Sequence, residues 1–194
     1  MTPPPIHESG GSTRNSSAVP WVLWLLAVLA CAVCATGALV LGPVLMTTRI
    51  ANQRNGCLSR LSEQQQAISL YAVSCDDTLP KASNWMDAIT PYTKSFRWRS
   101  ALEGRNDRFI HCPAVGRPGF GYAMNRKLSR VKRSAISEPA KAPLTFDSAG
   151  TGRNEAEDPP QLPSPPRHGG RNCISFADGH AASFVPGTEP WDGR

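Results

Sequence analysis

The chain has 194 residues, 18 prolines, 16 glycines and a formal net charge of +6. That suits one folded domain with a single core beside a membrane segment. Its basic surplus is local: residues 49–141 hold 16 basic against 7 acidic side chains, and residues 142–194 hold 4 against 7. The middle of the chain therefore suits anionic partners such as phospholipid headgroups, acidic glycans or nucleic acid.

Residues 1–19 are rich in Pro, Ser, Gly and Thr without periodicity, and are expected to be disordered. No charge then occurs until Arg49. About 20 apolar residues cross a bilayer as a helix, so residues 20–46 are expected to form a single transmembrane helix in the cell membrane, with Trp21 and Met46 bounding its lipid-facing stretch. A cleaved signal peptide fits less well, because Arg14 is the only basic residue upstream and the run exceeds an ordinary apolar signal core. Arg49, Arg54 and Arg60 follow the run, and the positive-inside rule would keep the remainder in the cytoplasm.

The head is expected over residues 47–194. Ile50, Arg54, Leu58, Leu61, Gln65, Ile68 and Tyr71/Ala72 recur at three- and four-residue steps. This predicts that the helix continues to about residue 74 with one apolar stripe, Arg60, Glu63 and Gln64 facing away. Gly42-Pro43 is expected to kink the helix without ending it; the stop falls at Asp76-Asp77. Ser83 is expected to cap a short helix carrying Trp85, Ile89 and Tyr92. Strands are predicted over 109–112, 120–124, 144–147, 173–177 and 180–185, the last two joined across Asp178-Gly179 by a type I′ turn. The proline-rich residues 150–167 read as a loop. A helix followed by short strands implies an α+β head: a small antiparallel sheet with one face on the long helix.

Cys31 and Cys34 lie in the apolar run and read as small buried residues. Cys57, Cys75, Cys112 and Cys173 are an even number at wide spacings without zinc-ligand spacing. Two disulfides in an oxidising compartment are expected, which sets the cysteines against the arginines on sidedness. His168, Asp178 and His180 are the group that could ligate a metal. In the plainer reading Asp178 is a turn residue, His180 lies on a strand surface and His168 ties the loop to the hairpin by a hydrogen bond. No metal or cofactor is expected. No Gly-x-Ser-x-Gly elbow, phosphate-binding loop or paired-carboxylate pattern is present, so the chain reads as a non-enzyme. Arg126, Lys127, Arg130, Lys132 and Arg133, with Arg97, Trp98 and Arg99 upstream, form the candidate surface for an anionic polymer or lipid.

Residues 43–79 resemble the first helix of type IV pilin-like proteins, most closely a bacterial family whose heads end in a His, nine residues, Asp-Gly motif. Here that motif is His168, GGRNCISFA, Asp178 and Gly179. The resemblance also rests on the fourteen-residue step from Pro43 to Cys57, CLSRL at Cys57, DDTLP, Trp85, Pro91-Tyr92, Cys112-Pro113, GYAMN from Gly121 to Asn125 and FDS from Phe146 to Ser148. It implies a pilin-like fold, with the first helix half in the membrane, a cytoplasmic N-terminus and an extracytoplasmic head. It further implies the pairings Cys57 with Cys112, both at positions where the family usually has cysteine, and Cys75 with Cys173, both at positions where it does not. Prepilins open the apolar run with a glycine cleavage site and a glutamate; alignment on Pro43 places Trp21 and Leu26 there. The expected function is thus that of a membrane-anchored pilin-like protein in a binding or scaffolding role. The alternatives are a pseudopilin subunit of a type II secretion or type IV pilus-like machine, assembled with other pilin-like subunits, and a metal-dependent or carbohydrate-active surface protein.

Overall fold

The structure, a computed structural model, describes residues 19–96, 108–158 and 162–191. The chain is α+β. Its first element, α1 (Val19–Ser74), is one 56-residue helix that contains Pro43. Contacts divide the chain after Met46 into two units. In the first unit, the apolar side chains from Trp21 to Met46 are all exposed, Trp24 by 73% and Leu39 by 75%. This part of α1 is long and apolar enough to cross a membrane.

In the second unit, residues 47–74 of α1 present Cys57, Leu61, Gln64, Gln65, Ala67, Ile68 and Ala72 to the core. The buried face is rotated from the expected stripe: Gln64 is buried, whereas Leu58 is only half-buried. An amide can enter a core when its polar atoms are satisfied, and Gln64 Nε2 donates to the Phe109 carbonyl at 2.9 Å. The helix stops because Asp76 and Asp77 adopt left-handed φ of 51° and 56°, with Asp77 N–H returning to the Ala72 carbonyl at 2.9 Å.

A short helix, α2 (Trp85–Ile89), buries Trp85, Met86 and Ile89. Ser83 does not cap it. It lies inside a preceding 3₁₀ turn, Ala82–Asn84, and the free amides of Met86 and Asp87 are met from afar by Asn154 Oδ1 at 2.8 and 3.3 Å. Asp87 closes the clamp by accepting from Arg153 Nε at 2.8 Å and from Asn154 Nδ2. Hydrogen bonds from Arg153 and then Asn154 hold the Asp87 carboxyl below its ordinary value of 3.8. A depressed carboxylate contributes stability above its unfolded value, and loses it as pH falls through the lower folded one. Both side chains are half exposed, so the clamp is worth under about 1 kcal/mol. Asp87→Ala should therefore lower the urea midpoint slightly at pH 7 and leave it unchanged near pH 2; an equal shift at both would remove the ionic contribution.

Five strands follow: β1 (Tyr122–Asn125), β2 (Pro143–Asp147), β3 (Glu155–Glu157), β4 (Asn172–Phe176) and β5 (Ala181–Phe184). Their order is β3-β1-β2-β4-β5. The sheet is mixed rather than wholly antiparallel, because β3 pairs parallel with β1. β3 also lies within the proline-rich stretch read as loop. Residues 109–112, read as a strand, instead contribute to a 3₁₀ turn, Arg108–Ile110.

The β4–β5 turn differs in detail from expectation. Gly179 N–H donates to the Phe176 carbonyl at 2.9 Å, and only Gly179 among the turn residues has positive φ, 100°. That is a type I turn closed by a left-handed glycine rather than a type I′ turn. One sheet face joins α1 and α2 in a core including Leu61, Ile68, Trp85, Tyr122 and Met124. The other packs Ala123, Phe146, Ile174 and Phe176 against Leu162, Phe184 and Trp191.

Candidate functional site

Strand register builds the site. Tyr122 of β1 lies opposite Asp147 of β2, and Phe146 opposite Ile174 of β4. The next antiparallel step brings Cys173 beside Asp147. Tyr122, Asp147 and Cys173 thus form a row across three neighbouring strands, and Cys57 of α1 meets it. Asp147 has no exposed surface. Its Oδ2 accepts from the Cys173 N–H at 2.7 Å and faces His168 Nε2 at 3.3 Å. Oδ1 accepts from the Cys57 thiol at 3.4 Å, while Tyr122 O–H donates to Cys57 Sγ at 3.4 Å.

Cys112 completes the surround, its sulfur 3.5 Å from His168 Nε2 and hydrogen-bonded to the Cys57 thiol. Gly121 permits this approach. Its φ is +78°, and a Cβ there would meet Val115 Cγ2 at 2.5 Å and Cys112 Cβ at 3.2 Å. Arg167 fixes the segment leading to His168 by donating to the Gly121 carbonyl at 2.9 Å and to the Ser148 carbonyl.

The electrostatics follow from burial. Loss of water pushes the Cys57 thiol and the Tyr122 phenol well up; the hydrogen bond with Cys112 opposes this at Cys57, where Cys173 and Asp147 add to it, whereas Cys57, Cys112 and Asp147 all raise Tyr122 further. Cys112 is raised first by its hydrogen bond to Cys57 and then by burial. For His168, burial opposes the charged form, but the hydrogen bond to Asp147, aided by Cys112 and by the Asp147 charge, carries it up to about 9. His168 Nδ1 is buried without a hydrogen-bond partner among the described residues. The donor atoms of Cys57, Asp147, His168 and Cys173 lie within 4.8 Å of one another: two sulfurs, an imidazole nitrogen and a carboxylate oxygen that could hold a metal ion.

The sequence-derived sites regroup accordingly. His168 belongs to this interior cluster and ties its loop to β2 rather than to the hairpin. Asp178 and His180 pair with each other at 2.6 Å at the exposed turn, the His180 ring stacked on Phe176 at 4.3 Å. All six cysteines are thiols in the structure. Cys173 lies with Cys57 and Cys112, not with Cys75, whose half-buried thiol interacts with Tyr71 near the end of α1. Nothing local in the sequence marks Asp147 and Tyr122 as site residues, although FDS and GYAMN contain them.

On the basic surface, Lys132 pairs with Asp76 at 2.8 Å and Arg133 with Asp77 at 3.6 Å. Arg126 donates to the Ala156 carbonyl, and Lys127 and Arg130 are exposed. Arg97, Trp98 and Arg99 lie outside the described residues. No family model, curated protein or solved structure matches the chain.

Proposed function

We propose that the chain is a single-pass membrane protein whose pilin-like head works outside the cytoplasm as a binding or scaffolding component. The observation that carries this reading is the uninterrupted exposure of apolar side chains between Trp21 and Met46 in a helix that continues into the core of an α+β unit. Such a surface is costly in water and at home in lipid. Support for the pilin-like assignment is internal. Cys57, Cys112, Tyr122, Asp147 and His168 come from five separate strings that carry the resemblance, and all five meet in one interior cluster. The partner class favoured by charge is an anionic lipid or polymer at the exposed Lys127 and Arg130 edge.

Cys75 supplies the test, since among the head cysteines it alone is not buried. A membrane-impermeant thiol reagent applied to intact cells should label the full chain, and the label should disappear in Cys75→Ser. Labelling only after lysis would refute the extracytoplasmic placement. An N-terminus beginning near Val22 in the membrane-bound protein would replace the static anchor with a processed pseudopilin.

A further inference from the structure

We infer that Cys57, Asp147, His168 and Cys173 are a closed four-donor site for zinc, which would lock α1 to β2, β4 and the loop before β4. This inference is independent of the membrane reading. Four donors of three kinds arrive from α1, β2, the loop before β4 and β4 itself, converge within 4.8 Å, and are all buried.

The chemistry selects the ion. Two thiolates, an imidazole and one carboxylate match the sulfur and nitrogen preference of tetrahedral zinc. Calcium takes 6–8 oxygen ligands and magnesium a rigid octahedron, which one carboxylate cannot supply. Zinc–sulfur bonds of about 2.3 Å place two sulfurs about 3.8 Å apart in a tetrahedron, so modest side-chain shifts bring the present donors into range. Four protein donors and full burial describe a structural site rather than one with a position open to substrate.

Two plainer readings account for less. An Asp147–His168 ion pair explains those two residues, but not why the Cys57 thiol points at the same carboxylate and the Cys173 sulfur lies in the same 4.8 Å cluster. A disulfide from Cys57 to Cys112 or Cys173 would consume a sulfur that the metal requires, so cross-link and zinc exclude each other. Around the donors, Tyr122 O–H on the Cys57 sulfur and the Cys173 N–H on the Asp147 carboxylate form the outer hydrogen bonds that orient metal ligands.

The test uses the full chain extracted in mild detergent after alkylation of free thiols in a parallel sample. Elemental analysis should find one zinc per chain that survives gel filtration. Cobalt replacement should give the thiolate-to-metal charge-transfer bands and intense d–d bands of a tetrahedral sulfur site. Cys57→Ser and Cys173→Ser should each weaken zinc binding by about tenfold or more, and Cys75→Ser should not change it. The wild-type cobalt spectrum stands even where a variant fails to fold. Substoichiometric zinc, a cobalt spectrum without thiolate bands, or a disulfide joining Cys57 to Cys112 or Cys173 would each overturn the inference.

Discussion

Asp147→Ala should destabilise the chelator-treated head by about 3–5 kcal/mol, the range for removing one partner of a buried charged pair. Three groups lose their acceptor at once: the Cys173 N–H at 2.7 Å, the Cys57 thiol at 3.4 Å and His168 Nε2 at 3.3 Å. The stranded backbone amide alone accounts for about 1–3 kcal/mol, and an imidazolium left without its carboxylate accounts for much of the rest. Water cannot easily take over, because neither the His168 nor the Asp147 side chain is exposed. The measurement is the urea dependence of thiol reactivity for the full chain in detergent, since Cys57, Cys112 and Cys173 are shielded only while the head is folded. Chelation removes any metal contribution. A loss below about 1 kcal/mol would show that the carboxylate is not holding these groups.

A partner substitution separates charge pairing from packing. His168→Ala removes the cation and leaves Asp147 with its amide and thiol donors, so it should be the milder change. The double variant should lose less than the two single losses combined, because each single variant strands what the other removes. Coupling between directly interacting residues of about 0.5–3 kcal/mol is the expected scale. Strict additivity would mean that the two side chains act independently despite their 3.3 Å separation.

These residues also show where the sequence was readable. The continuous helix, the strands at β1, β2, β4 and β5, and the glycine turn at Gly179 follow from local signals: three- and four-residue spacing, short β-rich runs and a residue able to take positive φ. What escaped is nonlocal. Residues 109–112 look strand-like because a short apolar run has no diagnostic period; its place is fixed by Gln64 donating to the Phe109 carbonyl. Gln64 lies off the stripe that the three- and four-residue spacing marks, yet it is buried. Asp147 ends a β-rich run and nothing local distinguishes it from an edge charge. Only the pairing of β2 with both β1 and β4 places it under α1, against Cys57. His168 stands in sequence beside Asp178 and His180, but the side chains that it meets include Asp147 and Cys112, 21 and 56 positions away (168 − 147 and 168 − 112).

β3 is the clearest nonlocal case, and it leads to Trp85. Three residues with two glutamates, followed closely by Pro159 and Pro160, have no intrinsic claim to be a strand. Glu155–Glu157 becomes one because β1 offers a parallel edge and because Trp85 Nε1 donates to the Glu155 carbonyl at 2.9 Å. Trp85 has no exposed surface and packs in the core shared by α1, α2 and the sheet. Trp85→Ala should therefore cost about 3–5 kcal/mol through lost burial and the cavity left behind, and should also release β3 from its anchor. Trp85→Phe retains most of the packing but not the donor, so its loss should be nearer 1–2 kcal/mol. Urea unfolding of the two variants gives the ranking, and amide exchange at Ala156 and Glu157 reports the strand. Rapid exchange there in Trp85→Phe at nearly wild-type stability would establish the indole hydrogen bond as the tether; unchanged protection would assign that role to β1 alone.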